Sequence, residues 1–334
     1  MAAQSAVILG LEGPVLSKVE ADFFRAANPY GFILFARNIE TPQQLTALCA
    51  DLRGCVGGDV PILIDQEGGR VQRMRAPHWR EWLAPLDQGA CAADPARAAY
   101  LRARIMAQEL RSCGVDANCA PTCDIAGPLT HPFLRNRCWG ETVAEVVSQA
   151  RATMDGLLAG GVLPIVKHMP GHGRAVNDSH HDLPTVTATA QDLRETDFAV
   201  FHALRDAPMG MTAHIRFTAF DDAPATQSAR MIQLIREDIG FGGLLMTDDI
   251  AMQALSGRIF ERSAAAIAAG CDIVLHCNGK MAEAEEAVAA SGALSGAALT
   301  RALAALGARK TPAPIDIVAL DAELGSVLGQ GSDG

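Results

Sequence analysis

The sequence predicts a single-domain α/β protein, a (β/α)8 TIM-type barrel. Three observations lead there. Eight short apolar segments are spread over roughly 300 residues, a helical segment lies between most neighbours, and six consecutive apolar segments end in a charged or imidazole group. The predicted strands are Ala6–Leu11, Gly31–Phe35, Pro61–Asp65, Val115–Ala120, Val162–Lys167, Gly210–His214, Gly243–Thr247 and Asp272–His276. Each is apolar without clean alternation, as strands covered on both faces of a parallel sheet are.

The helical segments follow in order. Pro42 to Leu52 opens after Thr41, a suitable N-cap, and a long Ala/Arg/Leu stretch runs from Asp94-Pro95 to Cys113-Gly114. Thr142 to Ala159 stops at Gly160-Gly161. Ala190 to Leu204, Ser228 to Asp238, Ile259 to Ala269 and Met281 to Ala290 complete the series. An open doubly wound sheet is the rival architecture. It needs a phosphate loop after an early strand, and Leu9-Gly10-Leu11-Glu12-Gly13 lacks the G-x-G-x-x-G pattern. The barrel is assigned to residues 1–310. The Pro-containing stretch Thr311-Pro312-Ala313-Pro314 then opens a C-terminal tail, 311–334, expected to be partly flexible.

Composition narrows the function. Of 334 residues 49% are hydrophobic and 20% charged, with formal net charge −10. That balance argues against nucleic acid as a partner. No apolar run approaches the ~20 residues of a membrane span, and Ala6–Leu11 lacks the basic flank of a signal peptide. The nine cysteines form no Cys-x-x-Cys pair and several sit in apolar runs. They read as reduced, buried thiols of a cytoplasmic protein.

The strand ends carry the chemistry. Strand three ends in Asp65, followed by Gln66-Glu67-Gly68-Gly69-Arg70-Val71-Gln72-Arg73; strand four leads through Pro121 to Asp124. Strands five to eight end in Lys167-His168, His214, Asp248-Asp249 and His276. Catalytic groups of barrel enzymes come from these ends. Four of the nine histidines fall within residues 168–181, in a loop shaped by Pro170, Gly171 and Gly173. Asp178 and His180 are two apart, so in an extended loop both side chains leave on one side. A carboxylate beside a histidine raises the imidazole pKa and orients it, which makes a usable general acid. His168, His172, His180 and Asp248 could in principle ligate zinc. No strand carries His-x-His, no His-Glu-x-x-His pair exists and Lys167 would repel the ion, so no metal or other cofactor is expected.

These motifs identify a resemblance. Lys167-His168-Met169-Pro170-Gly171-His172-Gly173 with Asp178-Ser179-His180 is similar to the K-H-F-P-G-H-G-x4-D-S-H of glycoside hydrolase family 3. More narrowly, the chain resembles its single-domain bacterial β-N-acetylglucosaminidases of peptidoglycan recycling. Asp65 to Arg73, Phe35-Ala36-Arg37-Asn38, Met211-Thr212-Ala213-His214 and Met246-Thr247-Asp248-Asp249 also match, over about Gly31 to Gly279. Departures remove no chemical group. Met169 replaces the usual Phe, Cys123 an aliphatic, and Arg137-Cys138-Trp139-Gly140 the commoner R-S-F-G.

The resemblance implies retaining hydrolysis of terminal β-linked N-acetylglucosamine from cytoplasmic muropeptides, a small-molecule sugar substrate. It implies Asp248 as nucleophile, His180 oriented by Asp178 as acid/base, and Asp65, Arg73, Arg137, Lys167 and His168 as sugar-binding residues. Strand alternation adds that Asp248 and Asp249 point opposite ways, leaving Asp249 to bond nearby backbone. Aromatics of only 5% suit a small sugar better than a long polysaccharide cleft. Arg73, Arg137 and Lys167 together suggest a locally cationic pocket. Rival readings are a β-glucosidase or β-xylosidase specificity, a metal hydrolase, and a non-catalytic barrel that binds amino sugars.

Overall fold

The structure, a computed structural model, describes residues 3–175 and 183–329. Eight strands close a barrel: Ser5–Gly10, Pro29–Leu34, Ile62–Ile64, Ala117–Asn118, Leu163–Met169, Met209–Thr212, Leu244–Asp249 and Ile273–His276. Every neighbouring pair is parallel and adjacent in sequence order, and the eighth closes on the first with Val7 opposite Val274. All eight predicted strands are present, shifted by a few residues at their ends.

The strands are apolar throughout, yet they sort their side chains strictly. Ile8, Ile33, Leu63, Ile165, Met211, Met246 and Ile273 pack in one cluster that fills the barrel. Their neighbours Val7, Leu9, Phe32, Ile64, Val166, Leu245 and Val274 join the cluster beneath the surrounding helices. The period of two is real, but both faces are buried, so hydropathy does not display it.

Helices cover the strands, and four of them begin at side-chain caps of one kind. Thr41, Asp94, Thr142 and Ser228 accept from backbone amides at the starts of Pro42–Val56, Pro95–Ser112, Val143–Ala159 and Ala229–Glu237. The predicted Ala190–Leu204 segment is two helices, Ala190–Glu195 and Asp197–Ala203, broken at Thr196. Buried Asp197 explains the break. Its carboxylate accepts from Arg174 Nε at 2.6 Å and from the Thr196 hydroxyl at 2.8 Å, holding Thr196 out of helical geometry.

Gly296–Gly307 closes the N-terminal end of the barrel. Arg301 pairs with Asp272, and the Tyr30 hydroxyl donates to Ala302 O. A further helix, Ile317–Val327, lies against Pro95–Ser112. Arg97 Nε pairs with Glu323 at 2.6 Å and Arg80 Nη2 with Asp321 at 2.6 Å. Residues 330–334 lie outside the described residues. No helix among the described residues is long and apolar enough to cross a membrane.

Candidate active site

The third strand delivers Asp65 to the C-terminal mouth of the barrel. The chain then folds into a tight hairpin, Gln66–Gly68 against Val71–Gln72. Gly68 turns with φ +100°, a conformation open chiefly to glycine. The hairpin returns Arg73 to Asp65, whose Oδ2 accepts from Arg73 Nη2 at 3.0 Å. Its Oδ1 accepts from Lys167 Nζ at 2.9 Å. Burial alone would raise the Asp65 pKa, but Lys167 and Arg73 outweigh it and hold the group ionised.

The fifth strand delivers Lys167 and His168. Its register against the sixth shifts between Val166 and Met169, which breaks alternation, so both side chains reach the cavity. Asp124 orients His168. Its Oδ2 lies 2.8 Å from His168 Nδ1, and its Oδ1 accepts from His172 N at 2.6 Å. The other ring nitrogen, Nε2, lies 3.4 Å from Arg137 Nη2. Burial, then the neighbouring His168, lower the His172 pKa to about 4, so that ring is neutral at pH 7.

The seventh strand delivers Asp248 and Asp249. Here too the register shifts, between Met246 and Asp249, and both residues line the cavity. The expectation that they point opposite ways is therefore wrong, because the strand is irregular where alternation was assumed. Their hydrogen bonds still differ. Asp249 Oδ1 accepts from Ala251 N and Cys277 N, both at 3.1 Å. Asp248 Oδ1 accepts only the Asp249 amide, at 2.8 Å, among the described residues. Burial would raise the Asp248 pKa, but His168, His214, that amide and Lys167 hold it below the ordinary value. Burial and neighbouring Asp248 raise Asp249 to about 6.

This asymmetry has a thermodynamic consequence. The folded pKa of Asp249 lies above its ordinary 3.8, so the native state binds the proton more tightly than the unfolded chain. Its ionisation destabilises the fold progressively from about pH 4 to about pH 6, and the penalty is complete above that. Asp249→Asn keeps the acceptor oxygen and removes the charge. It is expected to stabilise the protein at pH 7.5 by roughly 1–3 kcal/mol and to have no effect near pH 4. Melting curves across this range test it, and a pH-independent difference would refute it.

Asp65, Arg73, Arg137, Lys167, His168 and Asp248 all line one cavity at the barrel mouth, with Phe35 and Phe133 as walls. Asp178 and His180 lie outside the described residues. Three strand-end groups do not line it, the first being Asp124, which is bonded to His168. His276 follows Leu275, which lines the cavity, and so turns outward, 3.5 Å from Glu283. His214 is buried behind Asp249, bonded to the Thr226 hydroxyl at 2.8 Å and to Asp249 O at 3.0 Å.

Sequence reasoning passed over Glu67. It is buried, with Oε1 2.6 Å from Lys167 Nζ and 2.8 Å from Arg137 Nη2, and Oε2 2.9 Å from Arg137 Nε. Its spacing of two from Asp65 was the available signal. Glu67 and Asp65 also correct the cationic pocket. Arg73, Arg137 and Lys167 are each paired with a carboxylate, so the cavity carries no surplus positive charge. Among the described residues no three His, Cys, Asp or Glu side chains gather as metal ligands would.

Comparison with known proteins agrees with this geometry. The profile of the glycosyl hydrolase family 3 N terminal domain matches residues 17–306. A β-hexosaminidase of Bordetella avium (strain 197N) is 36% identical over 281 residues, 81% of this chain and 80% of its own length. NagZ from Neisseria gonorrhoeae, solved in complex with N-trifluoroacetyl-D-glucosamine, superposes with a TM-score of 0.85 at 29% identity, covering 99% of each chain. A family 3 β-N-acetylglucosaminidase from Paenibacillus sp. str. FPU-7 gives 0.86 at 29% identity over 96% of this chain, which spans 66% of that one. On these matches and this barrel, the chain belongs to glycosyl hydrolase family 3 and is a glycoside hydrolase of the β-N-acetylhexosaminidase type.

Proposed function

We propose that this protein is a retaining exo-β-N-acetylglucosaminidase. Its substrates are cytoplasmic muropeptides, such as N-acetylglucosaminyl-1,6-anhydro-N-acetylmuramic acid, released for peptidoglycan recycling. One observation carries the reading: an ionised carboxylate, Asp248, on a cavity whose other polar groups suit a sugar. Asp65 supplies acceptors for hydroxyls, and Arg73, Arg137 and Lys167 supply donors.

The reaction is a double displacement. Asp248 attacks the anomeric carbon as the glycosidic bond breaks, giving an α-linked glycosyl-enzyme. His180, oriented by Asp178, gives its proton to the leaving oxygen, then takes one from water. That water attacks the same carbon, expels Asp248 and restores the β configuration. Lys167, His168 and His214 around Asp248 favour its ionised form.

The first test compares p-nitrophenyl β-N-acetylglucosaminide with the β-glucoside. Turnover of the first alone is expected; preference for the glucoside would overturn the specificity, and binding without turnover would make the barrel a sensor. Proton NMR of the first-formed product should show the β anomer, and an α product would end the double-displacement scheme. His180→Ala should slow a muropeptide far more than the nitrophenyl substrate, whose leaving group needs little protonation. Equal losses on both would remove His180 from the acid role.

A further inference from the structure

We propose that Glu67 is a positioning residue that holds the Arg137 guanidinium and the Lys167 ammonium at a set separation, as a donor pair for the sugar. This rests on the hydrolase reading above. Arg137 and Lys167 line the cavity, whereas Glu67 lies behind them with its side chain 2% exposed. Its oxygens are taken up by three contacts to those two cations. Without that charge, Arg137 would lose its paired carboxylate, Lys167 would keep only Asp65 in direct contact, and the two cations would repel one another.

Glu67 is itself locked. Arg102, also buried, donates to the Glu67 carbonyl and, at 2.8 Å, to Gln88 Oε1. Among the described residues no carboxylate pairs with Arg102. Its guanidinium instead sits 5.7 Å from the Trp82 ring and 5.3 Å from the Trp139 ring. A side chain at Gly68 would place Cβ 1.8 Å from Arg102 Nη2. The glycine turn, the carbonyl contact and the two indoles together leave Glu67 no slack.

Charge gives a readout that simple scaffolding would not. Lys167 is faced by Asp65 and Glu67, by Arg137, by Cys119 just after the fourth strand and by Asp248 of the seventh. Burial would strip its proton, and the two carboxylates on the hairpin side more than offset this. Removing one of them lets Lys167 lose its proton at lower pH.

The experiment measures kcat and KM on p-nitrophenyl β-N-acetylglucosaminide from pH 5 to 10 in wild type, Glu67→Gln and Glu67→Asp. In Glu67→Gln, KM should rise ten- to a hundredfold with a smaller fall in kcat, and the rise in KM should grow toward pH 10 as Lys167 loses its proton. Glu67→Asp keeps the charge but shortens its reach, so KM should rise by a similar factor across the range. Wild-type KM across the range in folded Glu67→Gln would overturn the proposal. If Glu67→Gln does not fold, wild-type KM in Glu67→Asp would do the same. Wild-type enzyme inactive on the substrate would instead sink the hydrolase reading.

Discussion

Asp248→Asn is expected to lower kcat/KM by at least about a thousandfold, roughly 4 kcal/mol of transition-state stabilisation, while leaving the fold intact. Asparagine keeps the oxygen that accepts the Asp249 amide at 2.8 Å, so the strand end need not rearrange. It removes the charge and the nucleophilic oxygen. Asp249 is the poorer nucleophile, because two backbone amides, of Ala251 and Cys277, already bond its Oδ1. Its pKa, raised to about 6, also marks it as the less readily ionised of the pair. Trapping wild-type enzyme with a 5-fluoro N-acetylglucosaminyl fluoride should label the peptide holding both residues, with the modification on Asp248. A label on Asp249, or full activity in Asp248→Asn, would overturn the assignment.

The barrel was legible because its signal is repetitive. Eight apolar segments of strand length, all but the first followed by a predicted helix, leave few architectures, and an error of two residues at any end changes nothing. Features that depend on one side chain were harder to see. The helix Lys18–Ala27 was not expected, although Ser17 and Glu20 form the capping box that starts it. The helix Ile317–Val327 follows a Pro-containing stretch that reads as a tail. It docks through ion pairs with Arg80 and Arg97, more than two hundred residues away in sequence. The break at Thr196 depends on Asp197 finding Arg174 across the fold.

The site divides the same way. Asp65, Lys167, His168 and Asp248 lie at strand ends, where backbone topology gathers them, and Arg73 and Arg137 join them on one cavity from the adjoining loops. What sequence could not display is which carboxylate meets which cation. Glu67 looked like one acid among many until Lys167 and Arg137 closed on it. Asp124 was noted at its strand end, but its hold on His168 is a tertiary fact. Alternation was applied to Asp248-Asp249, where it misled, and not to His276, which was expected at the mouth and where alternation holds. The seventh strand shifts register before its aspartates, whereas the eighth stays in register with the first from Val7–Val274 to Leu9–His276.

Lys167→Ala should be costly twice. The ammonium is buried between Asp65, at 2.9 Å, and Glu67, at 2.6 Å, and its removal leaves two buried carboxylates with only Arg73 and Arg137. Breaking one side of such a cluster destabilises by ~3–5 kcal/mol at neutral pH. For a chain of 334 residues that is a fall in Tm of roughly 4–7 °C. The pH dependence separates charge from packing. Burial would raise the Glu67 pKa, yet Arg137 and Lys167 bring it from 4.5 to about 2, and Asp65 is lowered likewise. A depressed folded pKa stabilises above the unfolded value, and that stability is lost as pH falls through the folded one. Lys167→Ala removes part of this, so its deficit should be largest near pH 7 and shrink below about pH 4. Lys167→Met restores the apolar stem without the charge, so it should recover packing and keep the pH-dependent deficit. A deficit that stays constant below pH 4 as well, and is abolished by Met, would mean that Lys167 serves as filler. In either variant kcat/KM should fall about tenfold to a hundredfold, the worth of one charged donor to a sugar hydroxyl.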